Sequence, residues 1–291
     1  MADESKIMTQ QSLQAVSARA HADGAPAPSD LLDLKGRNVM VTGAGQGVGR
    51  AIALGIARSG AGAIIVNDIN EDRATKVAGE IEALGVRAWP MAVDVGDLDA
   101  VRAGIGTVEA ALGPIAILVN NAGNGGAEGF SGFPVFWESD PAHWHRYLHV
   151  NLFGVMNCCH ALLPSMVAQR YGRVVTIISD AARNLEARQA EYSAAKAGAA
   201  GFMRSIAADA ARHGITANCV AIATMRPDMA PAELGAFLAA DRTRSQLARY
   251  PIRRFGLPED VVATVLLLCS DASSWTTGQT YAVNGGYSSS L

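Results

Sequence analysis

From Leu34 onward, short apolar runs alternate with longer stretches of helical periodicity. Asn38–Thr42 (NVMVT) is a run of the first kind and predicts a buried strand. A glycine turn follows, then an apolar periodicity that predicts a helix to about Ser59. The alternation then repeats. AIIVN predicts a second strand before a helix over Glu71–Leu84, and VRAWPMAV a third before a helix over Leu98–Leu112. IAILVN predicts a fourth before a long helix over Ala142–Gln169, and GRVVTIIS a fifth before a helix over Glu191–His213. ITANCVA predicts a sixth strand, Pro258–Cys269 a helix, and QTYAVN the last strand. Unbroken apolar strands separated by helices imply β-α-β units and a parallel sheet covered on both faces. Right-handed crossovers then predict an α/β fold, a single doubly wound sheet of about seven strands.

The alternation is continuous, so residues 31–291 read as one domain. Residues 1–30 are rich in Ala, Ser, Gln and Asp and end in DGAPAPSD, which predicts a flexible extension. A short helix over Gln11–Arg19 that docks on a neighbour is the alternative. At 49% hydrophobic and 18% charged, the 291 residues have ample apolar material for one large core. A net charge of −3 gives no global basic field, which argues against nucleic acid as a partner. No window reaches 18 uninterrupted apolar residues, so no membrane span is expected. MADESKIMTQ opens acidic without an apolar signal core. Cys158, Cys159, Cys219 and Cys269 lack metal-ligand spacing and read as buried thiols in a reducing compartment, hence a cytoplasmic protein. The six histidines show no metal-ligand spacing either; His143, His145 and His149 read as surface or interface groups on one helix, and no metal is expected.

Candidate chemistry begins at the glycine turn. VTGAGQGVGR (Val41–Arg50) departs from a strict G-x-G-x-x-G and carries Gly43, Gly47 and Gly49 instead. Glycines there permit a tight turn and close backbone approach, and the helix start offers free N–H groups to a pyrophosphate. The second strand ends in Asp68, about 20 residues on, where a carboxylate accepts from both ribose hydroxyls of NAD and repels a 2′-phosphate. Gln46 gives the turn no basic side chain to attract that phosphate. Turn and Asp68 together favour NAD over NADP. Asp94 is placed to accept from an adenine amino group, while Asp97 suits a helix N-cap. Asn120, Asn121, Ala122 and Gly123 set polar amides and a glycine at the carboxyl end of the fourth strand, where such sheets bind ligands.

In order along the chain stand TGAGQGVG, DV at Asp94–Val95, NNAG at Asn120–Gly123, Asn151 in HVNLFG, Ser179 in TIISD, and YSAAK from Tyr192 to Lys196. RRFGLPEDV and TGQTYAVNGGY follow. With these motifs the chain resembles the short-chain dehydrogenase/reductase family from about Leu34 to Tyr287, and the resemblance implies a Rossmann-type fold. It implies catalytic roles for Ser179, Tyr192 and Lys196, supported by Asn151. It implies cofactor contacts from Gly43, Gln46, Gly47, Val48, Gly49, Asp68, Asp94, Val95, Asn121, Ala122, Gly123, Tyr192, Lys196 and Thr224.

The residues suit those roles. Tyr192 and Lys196 are four apart, on one helical face, so the ammonium can sit beneath the phenol. A free tyrosine has a pKa of about 10, and a nearby cation lowers it. Tyr192 is thus expected to take the proton of a secondary alcohol while Ser179 holds the same oxygen. Lys196 holds the nicotinamide ribose, and Asn151 positions water that relays the proton. Two alternatives stand beside this NAD-dependent alcohol–ketone oxidoreductase. One is an NADPH-preferring 3-oxoacyl reductase, against which Asp68 argues; the other is a dinucleotide-binding sensor or scaffold without turnover.

The chain departs from the family at Ile222 and Ala223, which stand where Pro-Gly is usual beside the nicotinamide amide. The stretch Asn124–Trp144 is longer than usual, and its Phe130, Phe133, Phe136 and Trp137 form either an apolar wall over substrate or a loop packed on itself or on a neighbouring subunit. Residues 224–250 are the expected lid. Arg226, Arg242, Arg244 and Arg249, with Arg183 and Arg188, face water or receive a carboxylate or a CoA phosphate. SDAAR is loosely similar to dehydrogenases of alicyclic hydroxyacyl-CoA compounds, so cyclic and CoA-linked alcohols are among the candidate substrates. Wide apolar arcs in LFGVMNCCHALL and SAAKAGAAGFM predict helix pairing across a two-fold axis, as a homodimer or homotetramer.

Overall fold

A computed structural model of the chain describes residues 30–123, 134–226 and 230–289. Residues 1–29 of the predicted extension, with the Gln11–Arg19 stretch, and Phe130 and Phe133 lie outside the described residues. From Leu32 onward the chain forms one unit. Its strands are β1 (Asn38–Val41), β2 (Ala63–Asp68), β3 (Arg87–Ala92), β4 (Ile115–Asn120), β5 (Gly172–Ser179), β6 (Ile215–Ile222) and β7 (Thr280–Val283). All pair in parallel, in the order β3-β2-β1-β4-β5-β6-β7. The chain winds outward from β1 to β3, then crosses to β4 and winds the other way. That reversal leaves a crevice beyond the carboxyl ends of β1 and β4.

The helices are α1 (Gly47–Ala57), α2 (Glu71–Glu82), α3 (Leu98–Leu112), α4 (Trp144–Leu148), α5 (Gly154–Gln169), α6 (Ala190–Ala210), α7 (Pro231–Ala239), α8 (Asp241–Ala248) and α9 (Pro258–Cys269). Alternation along each strand feeds two cores. Val39, Val41, Ile64 and Val66 pack under Ile52, Ile56, Val77 and Val261 from α1, α2 and α9. Met40, Ile65 and Leu118 pack under Val101, Ile105, Leu162 and Met203 from α3, α5 and α6. Asp97, rather than Asp94, caps α3, accepting from Asp99 N and Ala100 N at 3.0 Å each. Pro90 lies in the edge strand β3, where a missing N–H costs least.

The long helix expected over Ala142–Gln169 is not uniform. A 3₁₀ turn (Pro141–His143) leads into α4, and a π-turn (His149–Phe153) joins α4 to α5. Asn151 sits in the π-turn, fully buried, and its Nδ2 donates to Tyr147 O at 3.0 Å. That carbonyl would otherwise take the backbone bond of residue 151, so the side chain competes with the helix and widens it. The stretch Pro141–Gln169 is long and apolar enough by composition to cross a membrane. Here, however, Cys158, Cys159, Leu162 and Met166 pack into the second core.

At the amino end of the sheet, Asp271 gathers four partners. Oδ2 accepts from Lys35 Nζ at 2.9 Å and Arg37 Nη2 at 3.1 Å. Oδ1 accepts from Tyr171 Oη at 3.0 Å and Arg173 Nη2 at 3.2 Å. The Tyr171 ring lies between the two guanidinium groups, 3.9 and 4.3 Å from its centroid. Burial alone would push the Asp271 carboxyl up, but Lys35, Tyr171 and Arg37 hold it at about 2. A carboxyl held below its ordinary 3.8 stabilises the fold above that pH and loses the contribution as pH falls toward 2. Asp271→Asn is expected to destabilise the protein by about 1–2 kcal/mol near neutrality, after allowance for solvent screening. The deficit should shrink between pH 3.8 and about 2. Urea titrations across that range check it, and a deficit independent of pH would contradict the assignment.

Candidate active site

The cleft is built first from backbone. Gly43 and Gly47 adopt left-handed φ values of +60° and +53°, which side-chain-bearing residues rarely hold. A Cβ on Gly49 would lie 2.1 Å from Gly43 O, so only glycine lets α1 start against the turn. Gln46 precedes α1 in extended conformation and makes no side-chain cap, which leaves first-turn N–H groups for an anion. Thr42 joins this turn to the end of β4. Its Oγ1 accepts from Asn121 N at 3.0 Å and Ala122 N at 2.9 Å, and Asn121 Nδ2 donates to Thr42 O and Gly43 O at 3.0 Å. The Asn121 amide nitrogen is therefore spent on the protein. Asn120 points elsewhere, donating to Thr176 Oγ1 at 3.3 Å.

A cavity of about 560 Å³ opens over these elements. Its wall includes Gly43, Gln46, Gly47, Val48, Gly49, Asp68, Asp94, Val95, Asn121, Ala122, Gly123, Tyr192 and Lys196, all expected from sequence. Size, glycine backbone and uncapped helix start fit a dinucleotide. Thr224 is the exception. It lines a neighbouring hollow of about 360 Å³ with Tyr250 and Gly285. Its N–H donates to Tyr250 Oη and its hydroxyl accepts from Gln246, both at 3.2 Å, which turns it away from the cleft.

Asp68 is buried, and sequence reading missed its main partner. Oδ1 accepts from Arg73 Nη2 at 2.6 Å, Arg73 Nε at 3.2 Å and Asn70 N at 3.0 Å; Oδ2 accepts from Gly45 N at 3.1 Å. Four donors occupy a carboxylate with about four acceptor positions. Arg73 also lines the cavity, so a basic group stands beside Asp68 although position 46 of the glycine turn supplies none. The signal was present, since a residue in the first turn of the helix after β2 can face back toward the strand end.

Asp94 Oδ1 accepts from Gly96 N at 2.8 Å, and Oδ2 lies 3.2 Å from His149 Nε2. His149 thus ties the Asp94 carboxylate to the turn that carries Asn151.

Ser179, Tyr192 and Lys196 come together at the carboxyl end of β5. Ser179 Oγ accepts from Ala181 N at 3.1 Å and shares a hydrogen bond with the Tyr192 hydroxyl. Lys196 is buried, donates to Ile177 O at 3.1 Å, and lies 6.0 Å from the Tyr192 ring centroid. Burial lowers its pKa to about 8, only partly opposed by Cys219. A Cβ on Gly123 would lie 2.8 Å from Asn151 Oδ1 and 3.0 Å from Lys196 Nζ, which sets NNAG against the same group of side chains. The expectation that Lys196 lowers the Tyr192 pKa is corrected. Burial raises it, and the Ser179 hydrogen bond only partly opposes that. The ammonium is committed to a carbonyl, and the phenol pays the larger desolvation cost.

Beside Tyr192, Tyr147 was missed as well. The rings meet edge to face with centroids 6.4 Å apart. Phe136 stacks on Trp144 at 5.2 Å, and these two with Leu148 line an apolar hollow of about 340 Å³ against Ala190, Glu191 and Ala194. Trp137, expected in the aromatic wall, is 81% exposed. At the departure from Pro-Gly, β6 continues through Ile222, which lines the cleft. No residue from Ile222 to Arg226 has positive φ. Gly256 fixes the next turn instead, with Arg226 N to Gly256 O at 2.7 Å and Gly256 N to Thr224 O at 3.1 Å. In the lid, Arg244 pairs with Asp241 and Arg249 with Glu186, while Arg226 and Arg242 are exposed.

The family model described as short chain dehydrogenase matches residues 37–234. A 7alpha-hydroxysteroid dehydrogenase of Escherichia coli strain K12 is 34% identical over 258 residues, covering 89% of this chain and 96% of that protein. A gluconate 5-dehydrogenase from Burkholderia cenocepacia, solved with NADP and tartrate, superposes with a TM-score of 0.81 at 33% identity, covering 91% of this chain and 100% of that one. A 3-oxoacyl-[acyl-carrier protein] reductase from Brucella melitensis with bound NAD gives a TM-score of 0.77 at 33% identity, covering 92% and 98%.

Gly49→Ala is expected to weaken NAD binding about tenfold or more, because the backbone it meets cannot yield without moving the turn. Gly106→Ala, in α3 with open space around the added methyl, should leave binding unchanged. Fluorescence titration of both variants checks the pair, and equal affinities would refute the role given to the turn.

Proposed function

The chain belongs to the short-chain dehydrogenase family, and on that premise we propose that it interconverts a secondary alcohol and a ketone with NAD as the preferred hydride carrier. One observation carries the reading. Tyr192 and Lys196 line the same cleft as the glycine turn and Asp68, with Ser179 bonded to Tyr192. Gly43, Gly47, Gly49 and the start of α1 would hold the pyrophosphate, Asp68 the adenosine ribose, and Lys196 the nicotinamide ribose. When bound, the nicotinamide ring supplies the hydride acceptor or donor.

The protein's own part is proton handling. Ser179 Oγ accepts the Ala181 N–H, and its own hydroxyl proton, shared with Tyr192, would turn to the substrate oxygen. In reduction the Tyr192 hydroxyl gives its proton to the substrate oxygen; in oxidation that proton first leaves the phenol, and the phenolate then takes the alcohol proton. Asn151, Gly123 and Lys196 crowd one corner of the site, which suits passage of that proton toward Asn151. Cyclic and CoA-linked alcohols remain the substrate classes to test first. A second reading, an NADPH-preferring 3-oxoacyl reductase, draws support from Arg73, whose guanidinium could receive a 2′-phosphate once off Asp68. The exposed apolar side chains of Phe153 and Met156 on the π-turn and α5, and of Trp275 and Tyr281 beside and in β7, suit association with further copies of the chain as a dimer or tetramer. Four buried cysteines, all free, suit a reducing compartment such as the cytoplasm.

Tyr192→Phe is expected to cut turnover by about a thousandfold or more while NAD affinity changes by less than about threefold. Retention of most turnover with NAD bound would defeat the mechanism. Initial rates with NAD⁺ and NADP⁺ should favour NAD⁺, and Asp68→Asn should shift the ratio of kcat/KM values about tenfold or more toward NADP⁺. An NADP⁺ preference in the unaltered protein would favour the second reading. Ketone reduction needs both a protonated phenol and a charged Lys196. Burial keeps the phenol protonated, so the rate should fall as pH rises through about 8, where Lys196 loses its proton. A reduction rate flat across that range would show that the ammonium is not required.

A further inference from the structure

Asp180 follows Ser179 and opens a 3₁₀ turn over Asp180–Ala182. It is 2% exposed. Its carbonyl accepts from Arg183 N at 2.9 Å and Asn184 N at 2.8 Å, which closes the turn. Its carboxylate is less well provided for. Oδ2 accepts from Asn284 Nδ2 at 2.8 Å, and Oδ1 is buried with no hydrogen-bond donor among the described residues. A buried carboxylate held by one neutral amide depends heavily on that amide.

Asn284 begins the segment after β7 and is itself held firmly. Its Oδ1 accepts from Gly286 N at 3.0 Å, and Nδ2 also reaches Ser288 O at 2.9 Å and Ser288 Oγ at 3.1 Å. Gly285 and Gly286 adopt φ values of +63° and +80°, which bend residues 284–288 back on themselves. Farther along, the Tyr287 hydroxyl bonds Glu186, in the stretch between Ser179 and Tyr192. The Tyr287 ring packs on Tyr250 at 4.8 Å and on the Arg249 guanidinium at 4.5 Å. One short segment thus touches the serine turn, the serine–tyrosine stretch and the end of α8.

We propose that Asn284 is a positioning residue for Ser179, and that residues 284–288 fix the serine turn against the lid. The Asn284 amide pins Asp180, Asp180 closes the turn, and Ala181 N of that turn holds Ser179 Oγ. The inference rests on Ser179 acting on the substrate oxygen. No bond to substrate or dinucleotide is required of Asn284.

Three variants test it with NADH and cyclohexanone, NADH binding by fluorescence, and amide hydrogen exchange at Ala181. N284D sets two carboxylates against each other, which cannot both ionise at that distance. It should lower kcat about tenfold or more near neutrality, recover as pH falls and the pair shares a proton, and leave the NADH Kd within about twofold. Ala181 exchange should speed up. D180N/N284D exchanges donor and acceptor, and should restore Ala181 exchange and bring kcat back to within about threefold of the unaltered protein. Unchanged Ala181 exchange in N284D, or a swap that fails to restore it, overturns the proposal. A parallel loss of NADH binding would overturn it too, since the residue would then merely support the fold. S179A separates the premise from the inference. If S179A keeps its turnover, the catalytic reading of Ser179 is wrong. If S179A is inactive while N284D behaves as the unaltered protein, only the role of Asn284 fails.

Discussion

The hydrogen bonds between Thr42 and the Asn121–Ala122 backbone are the constraint on which the site depends. In a doubly wound sheet the crevice between β1 and β4 exists because the chain leaves in opposite directions on its two sides. Nothing in that topology alone fixes its width. Here one hydroxyl accepts two N–H groups across it, and one side-chain amide returns to Thr42 O and Gly43 O. The glycine turn and NNAG are thereby one rigid piece. The glycine turn on one strand and Gly123, packed against Asn151 and Lys196, on the other keep a fixed spacing.

Two buried charges face this cleft, and they are managed differently. Asp68 is surrounded by donors, Arg73 first among them, so its charge is compensated before any ligand arrives. Lys196 has a single carbonyl, and burial draws it down toward neutrality. The first arrangement means that any donor brought to Asp68 would have to exchange with a partner already there. The second leaves an ammonium that gains from any acceptor brought to it. The Tyr192 phenol, raised by burial, belongs with Lys196 as a group whose protonation its surroundings set.

Much of the fold was legible because its signals are local. Leu98–Leu112, Ile115–Asn120, Gly172–Ser179 and Pro258–Cys269 are bounded as their sequence patterns predict, since each apolar run stops at a residue that caps or turns. The assembly of Ser179, Tyr192 and Lys196 was legible for a related reason: the strand ends at the serine, and four residues make one helical turn. What was not legible depends on distant partners. The path beyond Ile222 is set by Tyr250 and Gly256, and Thr224 is drawn from the cleft by the same contacts. The Asp180–Asn284 bond spans 104 positions. Arg73 was close in sequence, but only the strand end of β2 gives it a meaning. The direction of the Tyr192 shift needed the burial of the phenol, which no spacing encodes.

The π-turn at Asn151 carries a consequence for register. Each residue of an α-helix turns the chain by about 100°, and a π-turn accommodates one more residue than the regular helix would. Everything on its amino side, including Tyr147 against Tyr192 and Trp144 against Phe136, is rotated by that extra residue relative to α5. The aromatic surface beside the Tyr192 phenol is therefore phased by a widening several residues away. A single-residue deletion within His149–Phe153 would restore an even helix and, by the same rotation, turn Tyr147 away from Tyr192 without altering either side chain.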